Sequence, residues 1–170
     1  EVGYLSDPAA LRLLPGVAAA LARLRAAGRA LVVISNQAGV GRGYYSLARA
    51  YETMAQLRRL LRHEGVELDA IYFCPHAPDA GCACRKPGIE LIERAAEDQQ
   101  LQARGSAMIG DKRIDVETAQ RAGCLGILVE TGHGRDEAAL LAQGLPGAGP
   151  DAVCDDLAAA ADWLLERQGE

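Results

Sequence analysis

Short runs of β-branched and aliphatic residues alternate with longer stretches of helical periodicity along almost the whole chain. No other feature restricts the fold as strongly. Gly28 closes a helical stretch from Val17 to Ala27, and Leu31-Val32-Val33-Ile34 follows as a buried strand. Leu47, Tyr51, Met54, Leu57 and Leu61 recur at helical spacing and predict an amphipathic helix from Ser46 to His63. Ile71-Tyr72-Phe73, Ala107-Met108-Ile109, Ile127-Leu128-Val129 and Ala152-Val153 read as further strands. Helices are expected over Ile89 to Asp98, Ile114 to Ala122, Asp136 to Gln143 and Asp156 to Arg167, the last capped by Asp155 or Asp156. A loop from Gly144 to Pro150 separates the last two. Trp163 is expected in the core. This alternation predicts βαβ units: a three-layer α/β domain with a parallel sheet, right-handed crossovers and helices on both faces. Reactive groups in such sheets lie in the loops beyond the carboxyl ends of the strands. No repeat or linker interrupts the pattern, so residues 1–170 are expected to form one domain.

Composition narrows the function classes. Apolar residues at 49% and charged residues at 24% describe a globular chain. A net charge of −5 argues against a nucleic-acid binder and against a membrane-surface protein. No run has the length of a transmembrane helix and no signal peptide opens the sequence, so a cytoplasmic location is expected. An odd number of cysteines, 5, does not suit a secreted disulfide framework. Cys124 and Cys154 stand among apolar neighbours and are expected to be buried, inert thiols.

The polar clusters all fall at predicted strand ends. Cys74-Pro75-His76 and Cys82-Ala83-Cys84 offer three thiolates and an imidazole, a tetrahedral ligand set for Zn²⁺. With every position taken by protein the site would be structural, and it would order a loop with almost nothing apolar in it. Ser35-Asn36-Gln37-Ala38-Gly39-Val40-Gly41-Arg42-Gly43 combines a hydroxyl, amides, close-approach glycines and a cation, which can cradle phosphate or form an ordinary glycine-rich connection. Arg85-Lys86-Pro87 follows the cysteine loop directly. Its planar fork and point charge suit phosphate or sugar oxygens if that loop is rigid. Gly110-Asp111-Lys112 with Asp115 follows another strand. Asp111 suits a hard cation such as Mg²⁺, while Asp115 stands where a helix cap belongs. One carboxylate rarely holds Mg²⁺, and no predicted strand ends in a second suitable acid. His63 reads as a favourable cation at a helix end, and His133 in Thr131-Gly132-His133-Gly134 as an exposed loop residue.

Together these clusters resemble the haloacid dehalogenase (HAD) superfamily of phosphatases. Ser35-Asn36 resembles its second motif, Lys86 its third, and Gly110-Asp111-Lys112 with Asp115 its fourth. The cysteine-histidine string with Arg85-Lys86-Pro87 is similar to the zinc-containing heptose bisphosphate phosphatases and the related histidinol-phosphate phosphatases. The likeness runs from Gly3-Tyr4 to the loop at His133. It implies a Rossmann-like sheet without a large cap and a catalytic Mg²⁺ at Asp111 with Asp115 behind it. It also implies a structural Zn²⁺ at Cys74, His76, Cys82 and Cys84. Ser35 and Lys86 would stabilise the phosphoryl oxygens. Gly3, Tyr4, Asn36, Gln37, Ala38, Arg85 and Lys112 would contact the substrate. The first motif of the superfamily, Asp-x-Asp-Gly-Thr, carries nucleophile and general acid on the central strand. It is absent from these residues, and its strand is expected to lie ahead of Glu1.

The implied activity is removal of the 7-phosphate of a heptose bisphosphate through an aspartyl phosphate, by a monomer. It would feed a nucleotide-activated heptose for lipopolysaccharide. A histidinol-phosphate phosphatase on the same scaffold and a non-catalytic zinc-stabilised domain are the alternatives. Lys86→Ala is expected to lower turnover more than it changes folding.

Overall fold

In the computed structural model, residues 7–142 and 149–167 are described, and the chain divides into two compact units, Glu1–Arg85 and Lys86–Glu170. In the first, a short 3-10 turn at Pro8–Ala10 precedes α1 (Val17–Ala26), β1 (Val32–Asn36), α2 (Ala38–Gly41), α3 (Leu47–His63) and β2 (Ala70–Cys74). β1 and β2 are parallel, in a register that runs from Val32 opposite Ala70 to Asn36 opposite Cys74. The expected strand ended at Ile34. It continues because Ser35 and Asn36 keep pairing with Phe73 and Cys74, and Ser35 and Asn36 thus stand on the strand's last residues rather than in a loop. The glycine-rich segment after it, expected as a loop, forms the helical turn α2.

Ser46 caps α3 by accepting the Arg49 N–H, a contribution of about 1 kcal/mol. The buried face of α3 keeps the expected Leu61, with Met54 and Leu57 half-buried, but departs from the periodicity in its first turns. Ala50, Thr53 and Leu61 are buried, whereas Leu47 is 45% and Tyr51 60% exposed. Thr53 can be buried because its hydroxyl donates to the Arg49 carbonyl one turn back. Tyr51 instead meets Phe73 edge-on, with ring centroids 5.0 Å apart. Leu24, Leu31, Leu61, Val66 and Leu68 form the core beside Cys74. At the strand entry, Asp69 accepts the Leu31 N–H at 2.7 Å and pairs with Arg25 at 2.9 Å. Burial pushes its carboxyl up, but these two partners hold it below its usual range.

The second unit runs α4 (Glu90–Asp98), β3 (Ala107–Gly110), α5 (Arg113–Arg121), β4 (Leu125–Val129), α6 (Gly134–Ala142), β5 (Ala152–Cys154) and α7 (Leu157–Glu166). Its sheet is parallel, in the order β3-β4-β5. β4 is central, and Ile127 and Leu128 on it are wholly buried. α5 packs on β3 and β4, α6 on β4, and α7 on β4 and β5. Asp156 caps α7 by accepting the Ala159 N–H. Ala160, Ala161 and Leu164 form the buried face of α7, while Trp163, expected in the core, is half-buried with the Arg167 guanidinium 4.6 Å over its ring. α6 starts at Gly134, ahead of the expected Asp136. Residues 143–148, with Gln143 and most of the expected Gly144–Pro150 loop, lie outside the described residues.

All five expected strands form, and every pair is parallel. They belong to two sheets. Among the described residues β1 bonds only to β2 and β3 only to β4. Both β1 and β3 are half-buried along their length. Cys124 and Cys154 are half-buried rather than buried, and desolvation raises both thiols. No helix among the described residues is long and apolar enough to cross a membrane.

Candidate active site and metal centre

The carboxyl ends of β1 and β2 lie side by side because the strands are parallel and in register. Asn36 stands opposite Cys74, and the Gln37 N–H donates to the Cys74 carbonyl at 2.8 Å. The Gly41 N–H then donates to the Pro75 carbonyl at 2.8 Å. The segment after Ser35 is therefore laced by its backbone to the start of the cysteine loop. Ser35, Asn36 and Gln37 are half-buried, and Ala38 is buried at the start of α2. The Ser35 hydroxyl accepts from Gln37 Nε2 at 2.8 Å, and Gln37 Oε1 accepts from the Tyr45 hydroxyl at 2.7 Å. Arg42 is exposed.

The loop beyond Cys74 brings Cys74, His76, Cys82 and Cys84 together, with all their ligand atoms within 4.8 Å of one another. Cys74 Sγ lies 3.6 Å from Cys82 Sγ and 3.5 Å from His76 Nδ1, which is 3.2 Å from Cys84 Sγ. A tetrahedral Zn²⁺ with bonds of about 2.3 Å to sulfur and about 2.0 Å to nitrogen would set neighbouring donors roughly 3.5–3.8 Å apart. The donor set and spacing fit a tetrahedral metal ion, with Nδ1 as the histidine ligand. All the cysteines are free thiols, so no disulfide competes. Burial, then the neighbouring Cys74 and Cys82 thiols, push Cys84 up to about 12, and burial also raises Cys74. Burial pushes Cys82 up as well, but hydrogen bonds from Cys74, Cys84, the Arg85 backbone and His76 outweigh it and bring this thiol down to about 7. Such crowded sulfurs cannot all ionise without a cation among them, so metal binding must displace protons.

Arg85 ends this unit. Its Nη1 is buried and meets no hydrogen-bond partner among the described residues. A buried guanidinium N–H left unpaired costs free energy unless an acceptor such as a ligand anion reaches it.

In the second unit, Lys86 Nζ donates to Asp115 Oδ1 at 2.6 Å, with side chains 12% and 7% exposed. Asp115 is the third residue of α5, and its other oxygen accepts the Lys112 N–H at 3.2 Å. It is both a helix cap and the partner of Lys86. The exposed Lys112 is the N-cap residue of α5. Asp111 follows β3 directly, and its Oδ2 accepts the His133 N–H at 3.0 Å. The His133 side chain is exposed, as expected, so this loop serves the site through its backbone.

The approach of that loop depends on Gly132, which has φ +57° and would place a Cβ on Asp111 Oδ2. Gly132→Ala is expected to cost about 1–3 kcal/mol in denaturant unfolding, through left-handed backbone strain and the displaced carboxylate. A change within experimental error would show that the loop yields freely.

The sequence-expected residues thus collect in two places. Ser35, Asn36, Gln37 and Ala38 meet the cysteine-histidine cluster in one unit, and Lys86, Asp111, Lys112 and Asp115 stand together in the other. Gly3 and Tyr4 lie outside the described residues. Tyr45 was missed: a tyrosine just after a glycine turn carries no signal of its own, and only the fold returns its hydroxyl to Gln37.

The chain is similar to known proteins over most of its length. A family model described as HAD-hydrolase-like matches residues 83–160. The D-glycero-D-manno-heptose-1,7-bisphosphate 7-phosphatase of Thermosynechococcus vestitus is 39% identical over 96% of this chain and 88% of its own length. The D-glycero-beta-D-manno-heptose-1,7-bisphosphate 7-phosphatase of Pseudomonas putida is 40% identical over 89% of this chain and 84% of its own. The crystal structure of D,D-heptose 1,7-bisphosphate phosphatase from B. bronchiseptica, complexed with magnesium and phosphate, matches with a TM-score of 0.86 and 38% identity. That match covers 98% of this chain and 91% of the other. The strand-end Ser35, the paired Lys86 and the Asp111 turn are thus features of a chain that belongs to the HAD-like hydrolases and, within them, to the heptose-bisphosphate 7-phosphatase family.

Proposed function

We propose that this chain carries the phosphoryl-binding half of a Mg²⁺-dependent phosphomonoesterase that removes the 7-phosphate of D-glycero-D-manno-heptose 1,7-bisphosphate. The observation that supports this most directly is the buried Nη1 of Arg85, a cationic donor with no partner among the described residues and suited to an anion. The relatives at about 40% identity, named for this substrate, supply the sugar.

Each residue has a physical task. Ser35 donates its hydroxyl to an equatorial phosphoryl oxygen. Lys86, fixed by Asp115, offers its ammonium to phosphoryl oxygens, where charge builds as the phosphorus–oxygen bond breaks. Arg85 and Lys112 take oxygens of the rest of the substrate, a second phosphate or hydroxyls, and Asn36, Gln37 and Ala38 line the loop that holds it. Asp111 has the strand-end position and half-buried carboxylate that suit Mg²⁺, and Asp115 orders the turn behind it. When bound, Mg²⁺ neutralises negative charge so that a carboxylate can approach the phosphorus. The attacking carboxylate and the proton donor of the leaving oxygen belong to the Asp-x-Asp-Gly-Thr string, which these residues do not contain. We assign Zn²⁺ to the cysteine-histidine cluster as a structural ion. The free thiols fit a reducing, cytoplasmic setting, and one copy of the chain suffices for this set of residues.

The test is a substrate panel on the full-length protein with Mg²⁺: the heptose bisphosphate, the heptose 7-phosphate and histidinol phosphate. kcat/KM is expected to favour the bisphosphate by at least about tenfold, since an Arg85 left without its anion penalises the others. Faster hydrolysis of histidinol phosphate would replace this reading with the second. No hydrolysis of any of them would leave a zinc-stabilised binding domain.

A further inference from the structure

We infer that the Tyr45 hydroxyl is a positioning group that fixes the Ser35 hydroxyl as a hydrogen-bond donor to the bound phosphoryl oxygen; this rests on the phosphoryl role proposed above for Ser35. A serine hydroxyl has one proton and can also accept. Toward an anion only the proton is useful, and any neighbour that takes that proton turns the group's lone pairs toward the negative charge. The neighbour here is Gln37, whose amide can present either end. Its Nε2 lies 2.8 Å from Ser35 Oγ and donates to it, so the serine proton is left to point elsewhere.

What holds the amide in that sense is Tyr45. Its hydroxyl donates to Gln37 Oε1 at 2.7 Å. A phenol, with an ordinary pKa of about 10, is a more acidic and stronger donor than an aliphatic alcohol. With both hydroxyls competing for the one amide oxygen, the phenol takes it and the serine receives the NH₂ end. The chain Tyr45–Gln37–Ser35 thereby runs in one direction, each O–H or N–H donating to the next group.

The ring is held where it can do this. A Cβ on Gly39 would fall on Tyr45 Cε1, 2.7 Å from Cζ and 2.9 Å from the hydroxyl oxygen, so the ring lies against the bare backbone of α2. Gly39 is itself buried, and Tyr45 is half-buried over it. Ser35, Gln37, Gly39 and Tyr45 all belong to the first compact unit. Tyr45 touches no reacting atom in this account and acts only through Gln37.

Tyr45→Phe in the full-length protein keeps the ring on Gly39 and removes only the hydroxyl. The expected result is inorganic phosphate bound about five- to tenfold more weakly at equilibrium, and kcat/KM lowered by a similar factor with the thermal midpoint lowered by a few degrees at most. In a Gln37→Ala background the same substitution should have no further effect, because its intermediary is gone. Undiminished phosphate affinity in Tyr45→Phe, or an equal loss in the Gln37→Ala background, would overturn the inference. Phosphate binding needs no turnover, so the two claims separate. Tyr45-dependent phosphate binding without hydrolysis of the heptose bisphosphate would sink the substrate assignment alone. Hydrolysis with Tyr45-independent phosphate binding would sink the positioning role alone.

Discussion

Lys86→Ala should destabilise the protein by about 3–5 kcal/mol and also lower kcat by roughly two to three orders of magnitude. The sequence alone suggested, from the placement of the charge, that turnover would suffer more than folding. The structure changes that expectation: Lys86 is 12% exposed and its ammonium lies 2.6 Å from Asp115, itself 7% exposed. Removing the cation leaves a buried carboxylate with, among the described residues, only the Lys112 N–H to satisfy it. The two effects can be separated. Lys86→Met combined with Asp115→Leu replaces both charges by apolar groups of similar size and should recover the lost stability except for the cap that Asp115 gives the Lys112 N–H, about 1 kcal/mol. It should not recover turnover, because the phosphoryl group still lacks its cation. Urea unfolding and steady-state kinetics on the single and double variants provide both readouts. A double variant that regains activity would remove Lys86 from the chemistry. A single variant as stable as the wild type would mean that the ion pair contributes nothing to folding.

Cys84→Ser should cut metal affinity by more than about 100-fold and expose the segment between Cys74 and Arg85 to proteolysis. Pro78, Asp79, Ala80 and Gly81 in it are exposed, so little apolar contact fixes its path. Order must then come from the ligand atoms of Cys74, His76, Cys82 and Cys84, all within 4.8 Å of one another. Elemental analysis of the wild type should find about one zinc per chain, and chelation should reproduce the variant's protease sensitivity. The thiols of Cys74 and Cys84, held above their usual range by burial and by neighbouring thiols, must lose protons when the metal enters. Affinity should therefore fall as the pH is lowered. Protein purified without chelators and still free of metal, or a loop equally protected with and without chelator, would remove the ion from this site. The backbone bonds from Gln37 to Cys74 and from Gly41 to Pro75 carry the consequence further. Loss of loop order should weaken phosphate binding at Ser35 as well.

Much of this was legible in the residues because the signals are local. The strands and helices follow from hydrophobic period, glycine stops and caps such as Ser46 and Asp156, which act within one or two turns. The ligand set between Cys74 and Cys84 is equally local, since its spacing alone brings the donors within reach of one ion. That Ser35 stands on the last residues of β1 and Asp111 follows β3, each in its own sheet, needed only the rule that reactive groups stand at the carboxyl ends of parallel strands.

Only the tertiary structure decided which charges and hydroxyls are paired, because those partners are set by packing between distant segments. Lys86 and Asp115 are joined across 29 positions, and Asp111 receives the His133 N–H across 22. Tyr45 returns to Gln37 only because α2 forms a helical turn where the glycines suggested a loop. The buried side of α3 was likewise settled by Ala50 and Thr53 fitting where Leu47 and Tyr51 do not. Periodicity marks a helix as amphipathic, but the surface it meets chooses the stripe that is buried.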